Sequence, residues 1–285
     1  MENTGSGGFV NSKSTLIQIF IGLSAGVILY LFNFATESVM KYLKKFNKKK
    51  TILLLDTYPS EGNPITIVQN PNVYNSNSVY MSENERTGPE FSYSFCINIS
   101  QSTFERAEAD TLRHVFHKGY PGQFPLLSPG VYINGSENTM RIYMNSYKTW
   151  NNFVEVENIP VGKWVHIAIT CSSSEMNIFV NGNLVKKFMF EGFQVYQNYQ
   201  DICIFSDVNV NNVREPQTPS LNGTTFNVKG KFSGMLSRLY YFNYCLSYTE
   251  INSLLNEGPS SKIVTRGSAR ATPPYLIDRW WTTPY

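Results

Sequence analysis

The stretch that most restricts the fold is residues 162–190, GKWVHIAITCSSSEMNIFVNGNLVKKFMF. Within it, Trp164, His166, Ala168 and Thr170 alternate with Val165, Ile167, Ile169 and Cys171. A period of two is a β-strand, and since both sets are largely apolar, the strand is expected between two covering layers. Residues 172–175 are a polar turn and 176–180 a second β-branched and aromatic run. Asn181-Gly182 then leads into a third run, 184–190. Both residues of Asn-Gly tolerate positive φ, which a type I′ hairpin turn requires. A meander of three antiparallel strands therefore forms the core of an all-β domain.

The N-terminal end is different in kind. Residues 1–14 are Gly-, Ser- and Asn-rich and read as a flexible lead. Residues 15–36 carry no charge and match the ~20 residues needed to cross a ~30 Å hydrocarbon core. A cleavable signal peptide is the rival reading, but only Lys13 stands in for a basic leader and no small-x-small site follows before the lysines. A retained transmembrane helix is expected. Gly22 and Gly26, four apart, are spaced to let two such helices approach closely. Residues 37–50 are a basic juxtamembrane segment with Lys41, Lys44, Lys45, Lys48, Lys49 and Lys50. A lysine flank marks the cytosolic side, so the large domain is expected in the cytosol or a space topologically equal to it. The same lysines suit anionic head groups of a lipid bilayer, at about 1 kcal/mol each. That topology leaves the sequons at Asn98, Asn134 and Asn222 unused. The net charge of +3 is concentrated in this run, so no nucleic-acid partner is expected.

Beyond the lysines, short strands are expected at 51–57, 65–69, 91–99, 113–117, 130–133, 139–143, 153–156, 201–206 and 231–241. Residues 70–88 and 208–227 read as long polar loops, residues 102–110 as helical turns or a loop, and 119–122 as a turn. Ser247-Tyr-Thr-Glu250 is a capping box for a short helix with Ile251, Leu254 and Leu255 on one face, ended by Gly258-Pro259.

Three blocks in one order carry a resemblance: FSYSFCIN at 91–98, the meander at 162–190, and FSGMLSRLYYFNYCL followed by SYTEINSLLNEG at 232–258. They resemble laminin G-like, concanavalin A-like jelly rolls. The resemblance implies a two-sheet antiparallel jelly-roll sandwich over residues 51–260, between the N-terminal transmembrane helix and a C-terminal tail at 261–285. Fold does not fix function, since sites are grafted on folds independently.

Some relatives cleave β-glucans with alternating Glu-x-Asp-x-Glu carboxylates on one strand, as a retaining glycosidase needs. Here Glu83 and Glu85 lack a third partner, as do Glu155 and Glu157. No catalytic residues and no enzyme activity are expected. His114 and His117, three apart in a strand, are expected on opposite faces; His166 sits inside the core strand. Laminin G-like relatives often bind calcium, yet no spacing points to Asp110, Asp201 or Asp207, and no metal or cofactor is assigned. Cys96, Cys171, Cys203 and Cys245 read as small buried thiols of a reducing compartment.

The expected function is a non-catalytic, membrane-anchored structural or interaction protein that docks on neighbouring proteins of a membrane-apposed assembly. Arg279, Trp280, Trp281 and Tyr285 of the tail are its expected contacts. The Asn-rich, cysteine-poor style resembles proteins of large double-stranded DNA viruses with an internal membrane, which implies a minor capsid protein linking membrane and shell. Alternatives are a glycan-binding lectin, with Tyr143, Asn145, Tyr147 and Trp150 as contact candidates, and a degenerate glycoside hydrolase.

Overall fold

The structure is a computed structural model. It describes residues 12–82, 88–105, 111–121, 126–149, 152–190, 194–210 and 226–264, with residues 12–16 and 41–47 described through their helical backbone alone. The chain divides into two compact units, Met1–Lys48 and Lys49–Tyr285.

The first unit holds helix α1, Ser12–Asn47. Its stretch Ile17–Met40 is long and apolar enough to cross a membrane, and none of it is buried within the chain. A soluble helix with this composition would bury a stripe; this one is apolar all round. A Cβ built at Gly22 or Gly26 would meet nothing within 4 Å.

In the second unit the described residues form fifteen strands and one α-helix. The strands are β1 (Lys50–Ile52), β2 (Thr57–Pro59), β3 (Ile65–Ile67), β4 (Phe91–Ile99), β5 (Leu112–Tyr120), β6 (Leu126–Asn134), β7 (Thr139–Tyr143) and β8 (Phe153–Glu157). They continue with β9 (Trp164–Ser172), β10 (Glu175–Val180), β11 (Asn183–Met189), β12 (Ile202–Ile204), β13 (Asn209–Val210), β14 (Val228–Lys231) and β15 (Gly234–Phe242), and the helix is α2 (Tyr248–Glu257). One sheet runs β1-β15-β4-β9-β10-β11, with β2 also on β15. The other runs β13-β14-β5-β6-β7-β8, with β12 between β5 and β3.

The two sheets face each other across one apolar core. Phe91, Tyr93, Phe95, Ile97 and Ile99 of β4 enter it from one side, Val115, Phe116, Val131, Ile133, Met140 and Ile142 from the other. Phe95 meets Phe116 edge-on at 5.2 Å between ring centres. This is a sandwich, two inner faces interdigitating at sheet-packing distance. In β9, Val165, Ile167, Ile169 and Cys171 point into that core. Its other face stays dry because α2 covers it: Ala168, Tyr240, Phe242, Leu246 and Ile251 form a separate cluster. The alternation with two apolar faces in 164–171 therefore has its cause in a helix laid on the back of the sheet.

The meander forms as the spacing predicts. Asn181 (φ 47°) and Gly182 (φ 80°) make the tight turn between β10 and β11, and the Asn181 side chain accepts from the His166 amide at 2.9 Å. The capping box is present, with the Ser247 amide donating to Glu250 Oε2 at 2.8 Å.

Several boundaries differ from expectation, each for a non-local reason. Residues 51–57 are not one strand. β1 and β2 both pair with β15, and between them the amides of Leu53 and Leu54 both donate to Leu239 O, at 2.9 and 3.0 Å. Residues 231–241 are likewise split. β14 belongs to the second sheet and pairs parallel with β5, the exception to antiparallel pairing here. The chain then changes sheets at Phe232–Ser233. Gly234 begins β15 at φ 152°, so close to β4 that a Cβ would lie 2.1 Å from Asn98 O. The expected loop at 208–227 contains β13 and ends on a fully buried Phe226; residues 211–225 lie outside the described residues. Residues 101–103 are a 3-10 turn. The turn expected at 119–122 is displaced, because β5 continues through Tyr120.

Candidate functional site

The outer face of the second sheet is organised around β5, which carries two of the chain's three histidines. β5 carries two register shifts, between His114 and Phe116 and between His117 and Gly119. The first shift inserts an extra residue, which cancels the alternation and returns His117 to the face of His114. The expectation of opposite faces is thereby corrected: His114 Nε2 and His117 Nδ1 are 2.7 Å apart. The Ser206 amide donates to His114 Nδ1 at 2.9 Å. That nitrogen is therefore unprotonated, His114 Nε2 carries the proton and donates to His117 Nδ1, and the His117 proton sits on Nε2. Burial pushes both imidazoles down, His117 to about 4, and the neighbouring His117 lowers His114 as well, so the pair is neutral at pH 7.

Around this pair the face is filled by the chain's own side chains. Tyr132 packs edge-on against Tyr143 at 5.7 Å and against Phe226 at 5.6 Å. Arg141 Nη2 lies 2.7 Å from Glu155 Oε1, and its guanidinium stacks over Phe153 at 4.9 Å. Glu157 faces Lys186 of β11 at 3.9 Å. Both carboxylates of β8 are thus engaged by cations, and Phe153 holds the third position of their row. Cys203 stands directly across from His117 in the strand pairing, but burial raises its thiol pKa, the opposite of an activated nucleophile. Among the described residues no group of three His, Cys, Asp or Glu is placed to hold a metal ion.

The glycan candidates are not brought together on the surface. Tyr143 is 1% exposed and belongs to the aromatic cluster just described. Asn145 is equally buried, its Oδ1 accepting from the Leu127 amide. Both are structural, Tyr143 packed among Tyr132, Phe153 and Phe226 and Asn145 bonded to the Leu127 backbone, a placement that the local Tyr-Asn pattern does not reveal. Tyr147 is 67% exposed and packs edge-on against Tyr196 at 5.1 Å. Trp150 lies outside the described residues, as do Arg279, Trp280, Trp281 and Tyr285.

Of the lysines, Lys41, Lys44 and Lys45 have described backbone alone, and Lys48 is exposed. Lys49 and Lys50 belong to the sandwich. The Lys49 ammonium sits 4.1 Å from the Tyr80 ring centre and that of Lys50 3.5 Å from Tyr240. Partial desolvation lowers the Lys50 pKa, with Glu257 opposing. Both stay exposed; Lys50 opens β1, and both ammonium groups lie over aromatic faces.

What the surface does offer is a rim, built by residues 194–201 as they cross one end of the sandwich. Val195 is buried and bridges Ser146. The Tyr147 amide donates to Gln194 O at 3.1 Å, and the Tyr196 amide to Asn145 O at 2.9 Å. Gln197 Nε2 donates to Tyr241 Oη at 3.0 Å, tying the rim to the first sheet. Buried Asn198 donates to Lys118 O at 3.0 Å, tying it to the second. On this backbone Tyr199 is 76% exposed, and Tyr120 beside it is exposed too, next to Gly119, whose amide donates to Asp201 O. Sequence reasoning missed Tyr120 and Tyr199. The available signal was an aromatic within a polar non-repeating stretch, which carries no period.

A cleft of about 370 Å³ opens beside Tyr199, between residues 69–71, Val79, Met81, Lys118 and residues 199–201. Gln69 shapes one wall: its amide donates to Asp201 Oδ1 at 2.8 Å, and its side chain caps Val79 N and Asn77 O.

Comparison with known proteins now gives the fold a family. The profile of the concanavalin A-like lectin/glucanases superfamily, in its laminin G-like form, matches residues 74–252. A comparison with curated proteins finds no match. Among solved structures, the binding domain of botulinum neurotoxin serotype G is similar at 18% identity and TM-score 0.47, covering 74% of this chain and 42% of that one. The receptor-binding domain of botulinum neurotoxin D is similar at 13% identity and TM-score 0.46, covering 74% and 48%. The binding domain of botulinum neurotoxin DC, in complex with rat synaptotagmin II, is similar at 15% and 0.42, covering 74% and 46%. The chain spans less than half the length of these toxin domains. With more than half of its 285 residues matched by the profile, the chain belongs to the laminin G-like branch of the concanavalin A-like lectin/glucanases superfamily.

Proposed function

We propose that this chain is a non-catalytic docking protein, held at a membrane by helix α1, whose sandwich engages neighbouring proteins through its tyrosine rim and its C-terminal tail. One observation carries the reading. The outer face of the second sheet is filled by the chain's own His, Tyr, Phe and Arg side chains, whereas Tyr120, Tyr147 and Tyr199 stand exposed on the rim. Exposed tyrosines on a backbone tied to both sheets suit protein recognition, because Tyr presents a large rigid surface with a polar tip. The filled face and its neutralised carboxylates speak against glycoside cleavage. The span Ile17–Met40 supports a retained anchor with the sandwich on the lysine side, and a minor capsid protein between membrane and shell is the finer form of this reading.

The test uses the full chain in its native membrane. Crosslinking mass spectrometry should place Tyr147, Tyr199 or residues 261–285 against a neighbouring protein. The Tyr147→Ser/Tyr199→Ser double variant and deletion of 261–285 should each reduce those crosslinks at least tenfold without lowering the melting temperature. A second reading, a lectin, is favoured by the exposed Tyr199 ring at the mouth of the cleft. Glycan-array binding by the full chain in detergent that is lost in Tyr199→Ser, with the crosslinks unchanged, would replace the first reading with the second.

A further inference from the structure

The cleft beside Tyr199 has a floor that the docking reading does not use. Lys118 is 3% exposed, yet it lines an open cleft rather than the core. Its Nζ donates to Gln200 O at 2.6 Å. An ammonium has three hydrogens to donate, and among the described residues this carbonyl is the one acceptor within reach. Asp201 is nearby, but its Oδ1 is occupied by the Gln69 amide, and it acts on Lys118 through space rather than as a contact pair. A buried cation with unused donors is costly unless something completes it. The walls are of a different character: Val79, Met81 and Pro71 are apolar, and Tyr199 adds a ring at the mouth.

These features select among ligand chemistries. A cationic ligand would meet the Lys118 charge. A phosphate dianion would exceed what one ammonium balances beside the Asp201 carboxylate. A neutral polyol would satisfy the donors and leave the Lys118 charge opposed only through space by Asp201. A monoanion with two acceptor oxygens and an apolar body fits both floor and walls.

We propose that this cleft binds a small organic carboxylate, its oxygens accepting from the Lys118 ammonium and its apolar body lying between Val79, Met81 and Tyr199. The proposal stands apart from the docking reading, since it needs neither the tail nor a protein neighbour. Burial lowers the Lys118 pKa to about 8. The cation that holds the carboxylate is therefore lost as pH rises above that value, and affinity falls with it.

The probe is phenylacetate, with 2-phenylethanol as its uncharged counterpart, titrated into the full chain in lipid nanodiscs and read by ligand-observed NMR. At pH 7 phenylacetate should bind at least tenfold more tightly than 2-phenylethanol, and the preference should vanish at pH 9.5. It should also vanish in Lys118→Met, an apolar replacement of similar length, and persist in Lys186→Met, on the remote edge strand. Binding of neither probe, equal binding of both, or a preference that survives at pH 9.5 would overturn the assignment. The pH series in the unaltered chain decides the matter even where Lys118→Met fails to fold.

Discussion

Histidine chemistry sets the pH limits of this molecule. His114, His117 and His166 are all buried, and burial holds each below its ordinary value, His117 and His166 at about 4. A histidine lowered in the folded state binds its proton more readily when the chain is unfolded. The stability from keeping it neutral is complete above about pH 6.5 and is lost as pH falls toward 4. His117 and His166 should each cost about 3 kcal/mol by pH 4, so urea midpoints should drop steeply between pH 6.5 and 4. His166→Gln should flatten part of that slope, its amide standing in for the ring that meets Ser94 Oγ at 2.9 Å; an unchanged slope would count against the assignment. Gly234 is the other residue with little latitude. With φ at 152° and Asn98 O in the space of a Cβ, Gly234→Ala should lose about 3 kcal/mol in chemical denaturation. Two sequon residues are similarly committed to the fold. Asn98 lies within β4, and buried Asn134 accepts from both the amide and the hydroxyl of Ser136. Asn222 lies outside the described residues.

At the scale of elements, α2 is what closes the back of the first sheet, and its stability should be separable into end and face. Ser247→Ala removes the cap and should cost about 1 kcal/mol. Ile251→Ala opens a cavity over Ala168 and Tyr240 and should cost about 3 kcal/mol. If the two cost the same by thermal denaturation, the helix is not held by its buried face. Gly182→Ala should cost more than about 1 kcal/mol, since φ is 80° and the Cβ would come 2.6 Å from Asn252 Oδ1 on α2.

These same elements show which parts of the fold were legible. The Asn-Gly turn, the β9 alternation and the capping box are set by residues within a few positions of one another, and the sequence displays them directly. The β5 bulges arise in its pairing with β6, the division of 231–241 follows from pairing with β5 and β4 far back in the chain, and Tyr143 is buried against Tyr132, Phe153 and Phe226; no local pattern encodes these contacts. The rim is the extreme case. Residues 194–201 have no period because each side chain answers to a different neighbour: Ser146, Asn145, Tyr241, then Lys118. The cleft was illegible for the same reason, since Gln69, Lys118 and Asp201 meet only in the folded chain.

The whole molecule comprises an apolar helix and a sandwich whose second sheet is filled on its outer face and whose rim exposes Tyr120, Tyr147 and Tyr199. The four thiols fit a chain that folds without crosslinks: Cys96 and Cys171 are buried, and burial raises both thiols, Cys96 to about 11. In the native state both should resist alkylation at pH 8, and all four should react after denaturation. Whether the sandwich is a binding module retained at a membrane by an uncleaved helix, on the side of the lysine flank, can be read from the intact mass of the protein purified from its native membrane, after denaturing alkylation without reductant. The expected mass is that of a chain that retains α1, carries no glycan and takes up four alkyl groups. A mass that lacks the helix, carries glycans at the sequons, or takes up two or no alkyl groups would contradict it and place the sandwich on the far side of the membrane or outside the cell.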